Sequence, residues 1–224
     1  MTTGMLARGR LNAVCVVHEL LPDRGQDPDV TAIDKRPVPH AVAVGELGLD
    51  GDTQCDRRHH GGVEQAVYAY ADEDAAWWAA RLGRPIRPGL FGENLRTWGI
   101  DVTGAEIGER WRIGDTAHGV LLEVTAPRIP CQTVAEWMGE PRWVTRFTEH
   151  GACGAYLRVV APGLIAEGDA VEVVHRPGHG VTIGRMFPDL SPPSARALLD
   201  AADVGVVDLG PKVEAHVRRL ARRP

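Results

Sequence analysis

The run Glu123-Val124-Thr125-Ala126-Pro127-Arg128-Ile129-Pro130-Cys131-Gln132 joins an apolar strand pattern to a helical pattern through a turn stiffened by two prolines. Cys131 stands directly before the helical pattern. Amide N–H groups and the positive end of the helix stabilise a sulfur anion at such a position, and Arg128 adds a cation. We therefore expect the pKa of this thiol to fall below its free value of about 8.5. The plain alternative is a cysteine that packs as a small buried hydrophobe.

Strand patterns dominate the chain on both sides of this turn. Residues 120–125 and 155–160 are the strongest strand candidates, and 170–174 follow a Gly-Asp turn. Between Gly89 and Gly119, glycines alternate with short apolar runs, which favours tight turns between short strands. Many short strands at this spacing predict a β-rich, closed or nearly closed barrel.

The N-terminal part predicts further strands and one long connection. Residues 11–20 and 38–44 carry short β-branched runs, and the polar, turn-rich segment 22–37 between them predicts a loop. Residues 63–71 predict another strand, followed by a helix with Asp72 as its N-cap. The helical patterns are, in chain order, 72–83, 132–138, 141–150, 191–203 and 211–223.

The last two helical patterns predict an extension beyond the barrel, so we expect a barrel domain over 1–180 and a helical extension over 181–224. The extension has an apolar stripe and a basic edge. The stripe comprises Leu198, Leu199, Val213, Val217 and Leu220, and the edge comprises Arg218, Arg219, Arg222 and Arg223. The stripe fits a cap over the open side of the barrel, whereas the edge fits a docking surface for an acidic partner.

Composition limits the classes of function. A net charge of −5 and a pI near 6.0 argue against general binding to nucleic acids or anionic membranes, which need a basic field. No apolar leader or membrane span is apparent, and the four cysteines form no CxxC pair, so we expect a reduced cytoplasmic protein. The serine-hydrolase elbow, the Walker A loop, the dinucleotide fingerprint and the HExxH helix are all missing from the sequence.

Two polar segments are candidates for ligand binding. Arg57-Arg58-His59-His60-Gly61-Gly62 is rich in donors and ends in two glycines, so its amides could cradle an anion; a solvated basic turn is the alternative. Glu93 and Asn94 interrupt an apolar run, which predicts a structural hydrogen-bond network or recognition of a polar ligand such as a pterin. A disulfide between Cys131 and Cys153 is a further alternative to free thiols.

Four short motifs occur in a fixed order: Asp56-x-x-His59-His60-Gly61-Gly62-x-x-x-Ala66-Val67, Gly92-Glu93-Asn94-Leu95, Ile107-Gly108-Glu109-Arg110 and Pro127-Arg128-x-Pro130-Cys131. Together they resemble a stand-alone bacterial MOSC-domain protein, a domain also found at the C-terminus of molybdenum cofactor sulfurases. The resemblance covers about residues 11–176. It implies a barrel-like fold with a cofactor cleft in which Cys131 is the functional cysteine.

The resemblance also implies a set of site residues. Glu93 and Asn94 are expected near the pterin edge or the metal-bound oxygen, while Thr125 and Arg128 shape the cysteine loop. The expected contacts to the phosphate or pterin of a molybdenum-molybdopterin cofactor are Arg58, His59, His60, Gly61 and Gly62. The resemblance gives no assignment for Arg146 or Tyr156.

Two functions follow from the resemblance. In the first, Cys131 ligates molybdenum and the protein reduces N-hydroxylated bases or related N-oxygenated small molecules; a separate electron-donor protein is then needed, because the chain has no flavin, nicotinamide or iron–sulfur motif. In the second, Cys131 carries a persulfide received from a pyridoxal-phosphate-dependent cysteine desulfurase. A small-molecule-binding domain without turnover is a third alternative. The sequence sets no oligomeric state.

Overall fold

The computed structural model describes residues 7–23, 29–55 and 61–222. The strands of its main sheet are β1 (Arg8–Pro22), β2 (Val30–Pro37), β5 (Val67–Ala71), β6 (Leu95–Trp98), β7 (Arg110–Ile113), β8 (Val120–Pro127), β9 (Ala155–Ala161) and β11 (Ala170–His175). A side sheet comprises β3 (Val42–Gly45), β4 (Gly48–Leu49) and β10 (Gly163–Ile165). The helices are α1 (Asp72–Leu82), α2 (Gln132–Met138), α3 (Trp143–His150), α4 (Ile183–Met186), α5 (Pro192–Asp203) and α6 (Pro211–Ala221).

Seven strands close into a barrel in the order β11-β7-β8-β9-β5-β6-β1, and β1 pairs with β11 to complete the ring. Strands β5 and β6 run parallel, with α1 as their connection, and the other neighbours are antiparallel. β1 contacts three partners because it bends: a register shift between Leu11 and Ala13 lets its first part pair with β11 and its last part with β2. The predicted β-rich barrel with short peripheral helices is therefore confirmed.

The predicted loop over 22–37 is wrong, since its second half is strand β2. The charged run Asp34-Lys35-Arg36 is typical of a surface loop, but Asp34 and Lys35 are buried in this strand. Their charges are paired: Asp34 accepts hydrogen bonds from Arg36 at 2.9 Å and Arg87 at 2.7 Å, and Lys35 pairs with Asp52. Partners that are distant in sequence thus allow a charged segment to lie inside the fold.

The helices beside the barrel enclose an aromatic cluster. Trp78 of α1 lies against Trp143 and Phe147 of α3, with ring centroids 4.6 and 5.9 Å apart. The neighbouring Trp77 is not buried with it, because 38% of its surface is exposed. Trp77 instead stacks on His150 at 3.8 Å, on the outer side of the cluster.

The C-terminal helices pack on the barrel through one continuous hydrophobic core. Leu198 of α5 and Val217 of α6 are fully buried in the same cluster as the barrel side chains. The segment between the helices is tied to β9 by the ion pair of Arg158 with Asp208 at 2.9 Å. The domain boundary after residue 180 stays a prediction. In the described ranges, no helix has the length and apolarity needed to cross a bilayer.

Candidate functional site

A cleft of about 370 Å³ lies where the turn before α2 meets strand β2 and the segment after β4. Its walls combine charged, amide, thiol and phenol groups. The polar side chains along it include Lys35, Asp52, Gln54, Cys55, Gln65, Tyr68, Asn94, Arg128, Cys131 and Tyr156. The cleft therefore brings together residues from distant parts of the chain, from Asp23 to Tyr156.

Cys131 lies at the start of α2, as the sequence predicts. Its backbone is extended (φ −117°, ψ 174°), and its carbonyl accepts the hydrogen bond from Ala135 N at 3.2 Å that begins the helix. The preceding residue, Pro130, is buried, while Cys131 itself is half-buried and faces the cleft. The two prolines thus present the thiol at an accessible position on a restricted backbone.

Arg128 supplies a buried cation beside this thiol. Its Nη2 donates to Cys131 Sγ over 3.8 Å, and its Nη1 donates to the Ile129 carbonyl at 2.8 Å. Burial disfavours the charge, but Tyr156, Cys131 and Tyr68 together raise the pKa of Arg128 above its ordinary range. The guanidinium consequently remains charged and favours the thiolate form of Cys131.

Two tyrosines close the inner end of the cleft. Tyr68 and Tyr156 have ring centroids 5.6 Å apart, and burial raises the pKa of both phenols. The Tyr68 hydroxyl donates to the Cys153 carbonyl at 2.9 Å, and Tyr156 shares a hydrogen bond with Arg128. Both phenols are therefore neutral near physiological pH. Tyr156 lies in the run Ala155-Tyr156-Leu157, which is buried on both faces of β9, so the alternation of strand residues does not single it out.

Arg146, which the sequence left without an assignment, lies away from the cleft. It pairs with Glu140 at 3.4 Å and stands 5.9 Å from the Trp78 ring. Its position on α3 beside the aromatic cluster gives it a packing role.

Lys35 and Asp52 form an ion pair in the cleft wall that sequence reasoning missed. Both side chains are largely buried, and the Asp52 carboxylate also accepts from Val17 N at 3.0 Å and from Asn94 Nδ2 at 2.7 Å. Asn94 is held in turn, since its Oδ1 accepts from Tyr68 N at 3.1 Å. No sequence motif identifies this pair, because its members lie on β2 and on a loop 17 residues later.

Glu93 and Thr125 lie outside the cleft lining, unlike Asn94 and Arg128. The carboxylate of Glu93 is fully buried and is engaged by two backbone amides and Arg96. The Thr125 hydroxyl lies 2.6 Å from the Glu64 carbonyl and 3.0 Å from the Tyr156 carbonyl, and so links strands to the turn at 63–65. Both residues support the walls of the cleft, and their contact with a cofactor stays a prediction.

Gly61 and Gly62 lie behind the cleft lining, while Arg58, His59 and His60 lie outside the described residues. Gly61 and Gly62 have φ values of 151° and 84°, which favour glycine. Their amides donate to glutamine side chains: Gly61 N to Gln65 Oε1 and Gly62 N to Gln54 Oε1, each at 2.8 Å. Both glutamines line the cleft. An anion that replaced the glutamine oxygens as acceptor of these two hydrogen bonds would occupy the predicted cradle.

Replacing Gly62 by Val is expected to lower cofactor retention more than stability. A β-carbon at Gly62 meets no atom within 4 Å, so the change acts through the strained positive φ and displaces the amide. Gly83→Val is a matched control, because Gly83 has a positive φ of 65° and equally open surroundings but ends α1. Pterin content per chain and melting temperature are the measurements. Equal pterin content in both variants would contradict the cradle.

All four cysteines are within the described residues, and none of them forms a disulfide there. Cys15 and Cys153 are fully buried, and burial raises the pKa of each to about 12. Cys55 lies in the cleft, where burial also raises the pKa of its thiol. Cys131 is thus the cysteine that combines cleft exposure with a neighbouring guanidinium.

The structure defines a class of proteins with a closed barrel and a cleft that contains a thiol after a turn with two prolines. Comparison with known families identifies this class. The MOSC domain model matches residues 56–172. The chain is 32% identical to the uncharacterized protein YflK of Bacillus subtilis over 153 residues, which cover 68% of this chain and 67% of that protein. The chain belongs to the MOSC domain family.

Two further similarities bear on fold and function. The chain is 33% identical to a protein named Reductase of Gibberella moniliformis over 152 residues, 66% of this chain but 26% of that longer protein. The crystal structure of YiiM from Geobacillus stearothermophilus superimposes with a TM-score of 0.73 at 24% identity, covering 94% of this chain and 98% of that one. The second similarity concerns the fold alone.

Proposed function

We propose that this protein binds a molybdenum-molybdopterin cofactor in the cleft and reduces N-hydroxylated bases or related N-oxygenated small molecules, with Cys131 as the metal ligand. The observation that carries the proposal is the accessible Cys131 thiol, 3.8 Å from the buried guanidinium of Arg128 inside a cleft of about 370 Å³. A thiolate is a soft ligand that suits molybdenum. The similarity to the protein named Reductase supports an oxidoreductase.

The residues of the cleft fit such a group. Arg128 is a cation that complements a phosphate, and Lys35 adds an ammonium group that it shares with Asp52. The side chains of Gln54 and Gln65, which accept from the amides of Gly62 and Gly61, offer neutral donors and acceptors. A pterin ring presents amide-like edges, which such side chains recognise. The cofactor supplies two-electron chemistry when bound.

The chain's own residues bind, orient and protect the reactants. Arg128 places a positive charge beside the Cys131 sulfur, and the Lys35–Asp52 ion pair fixes the polar wall formed by β2 and the segment after β4. The packed rings of Tyr68 and Tyr156 exclude water from the inner end. Reduction of R–NHOH consumes two electrons and two protons and releases R–NH₂ and water; the electrons come from a separate donor protein in this proposal.

The test uses full-length protein purified from a host that makes the cofactor. We expect molybdenum and a fluorescent pterin in near-stoichiometric amounts, and reduction of an N-hydroxylated nucleobase with a reduced viologen dye as electron source. Protein that carries both molybdenum and pterin but reduces no N-oxygenated compound would overturn the reductase. A cyanolysable persulfide on Cys131 without metal would instead support the sulfur carrier.

A further inference from the structure

The carboxylate of Glu93 is the centre of a buried network beside the cleft. Its Oε1 accepts from Gly89 N at 2.7 Å and its Oε2 accepts from Phe91 N at 3.0 Å. Arg96, whose side chain is also completely buried, donates to Oε1 through Nε at 3.0 Å and through Nη2. One side chain thus accepts from two amides of the turn at 89–92, while the other two amides of the turn donate to backbone carbonyls.

One side of this turn lies against strand β2 at Lys35. Gly89 approaches so closely that a β-carbon would overlap the Lys35 carbonyl. Arg87, whose own carbonyl accepts from Arg96 Nη2 at 3.2 Å, donates to the same Lys35 carbonyl at 2.6 Å. The Glu93–Arg96 pair therefore fixes the backbone that carries the cleft lysine.

The other side of the turn contacts helix α2. Trp137 Nε1 donates to the Leu90 carbonyl at 2.9 Å, and α2 is the helix that begins directly after Cys131. Gly92, the last residue of the turn, lines the cleft itself. The turn at 89–92 consequently stands between the wall with Lys35 and the wall with Cys131.

We infer that Glu93 is a positioning residue: through the turn at 89–92 it sets the place of Cys131 relative to Arg128 and Lys35, and it acts without touching the cofactor. The inference rests on the proposed function in taking Cys131 as the reactive atom. Its readout is the thiol, in full-length protein made without the cofactor, so a failed cofactor analysis leaves this test intact.

Trp137→Phe cuts the link between the turn and α2 while the ring volume is mostly kept. We expect α2 to shift away from Arg128. The measurement is the site-resolved alkylation of Cys131 by iodoacetamide as a function of pH. Its midpoint is expected to rise by about half a pH unit, which lowers the thiolate fraction below the midpoint roughly threefold. Cys55, in the same cleft, is the internal reference for reagent access. Trp77→Phe, at an exposed tryptophan outside the link, is the matched control and is expected to keep the wild-type midpoint.

Glu93→Gln is the second variant, because it keeps the shape but removes the charge that pairs with Arg96. If it folds, its midpoint is expected to move in the same direction as that of Trp137→Phe. An unshifted Cys131 midpoint in Trp137→Phe overturns the inference, whatever the Glu93 variant does. A folded Glu93→Gln protein with the wild-type midpoint and a lower melting temperature overturns it as well, since Glu93 would then serve stability alone.

Discussion

Cys131→Ala is expected to lose all reduction of N-hydroxylated substrate above background, because the change removes the proposed metal ligand. The free energy of unfolding should change by no more than roughly 1 kcal/mol, since Cys131 is half-buried at the end of a turn and its side chain leaves no core cavity. The measurements are steady-state turnover with a reduced dye, molybdenum content and chemical denaturation.

Two other cysteines provide controls for this result. Cys55→Ala alters a thiol in the same cleft and should keep turnover, whereas Cys153→Ala removes a fully buried thiol and should lower stability. A Cys131→Ala protein that retains full turnover would contradict the central assignment. A Cys131→Ala protein that loses stability as Cys153→Ala does would show a packing role instead.

The parts of the fold with strong local signals were predicted well from the sequence. Strand β8 and helix α2 surround Pro127 and Pro130, and their periodicity, turn residues and apolar content all agree. Strand β2 was missed because its charges are balanced by Arg87 and Asp52, which come from other parts of the chain. Such pairing is decided by the tertiary fold, which local sequence patterns do not encode.

The same distinction applies to the site. Cys131 and Arg128 lie three residues apart, so one local motif contains both the thiol and its cation. The sequence does not predict that Lys35 lies in the cleft, because its partners are distant in sequence and only the tertiary fold brings them together. Glu93 was identified as a polar residue that needs partners, but its motif cannot tell a buried support from a ligand contact; the hydrogen bonds from Gly89 and Phe91 make that distinction.

The C-terminal helices pose the remaining choice between a cap and a docking surface. Leu198, Val217 and Leu220 are buried against the barrel core, which favours the cap. The basic edge is partly neutralised, because Arg218 donates to Glu214 at 2.7 Å within its own helix. A positive field that steers an acidic partner is correspondingly weakened.

Truncation after Pro188 is therefore expected to destabilise the barrel severely. Each large apolar side chain loses roughly 1.5–3 kcal/mol of burial free energy when it or its packing partner is removed, and a domain has only about 5–15 kcal/mol in total. We expect aggregation on expression or a fall in melting temperature of more than about 10 °C. The matched control is the full chain with Arg218→Ala and Arg219→Ala, which alters the exposed basic edge but leaves the buried stripe intact.

The cap and the docking surface predict opposite results for the truncated chain and the double alanine variant. A cap predicts that the truncated chain fails with every electron donor and that the double alanine variant behaves as wild type. A docking element predicts a stable truncated chain that works with a reduced dye and fails with its natural donor, together with weaker, salt-dependent coupling in the double variant. Because Val217 is fully buried in the hydrophobic core that the helices share with the barrel, we expect the first pattern. A soluble, equally stable truncation would show the cap to be wrong.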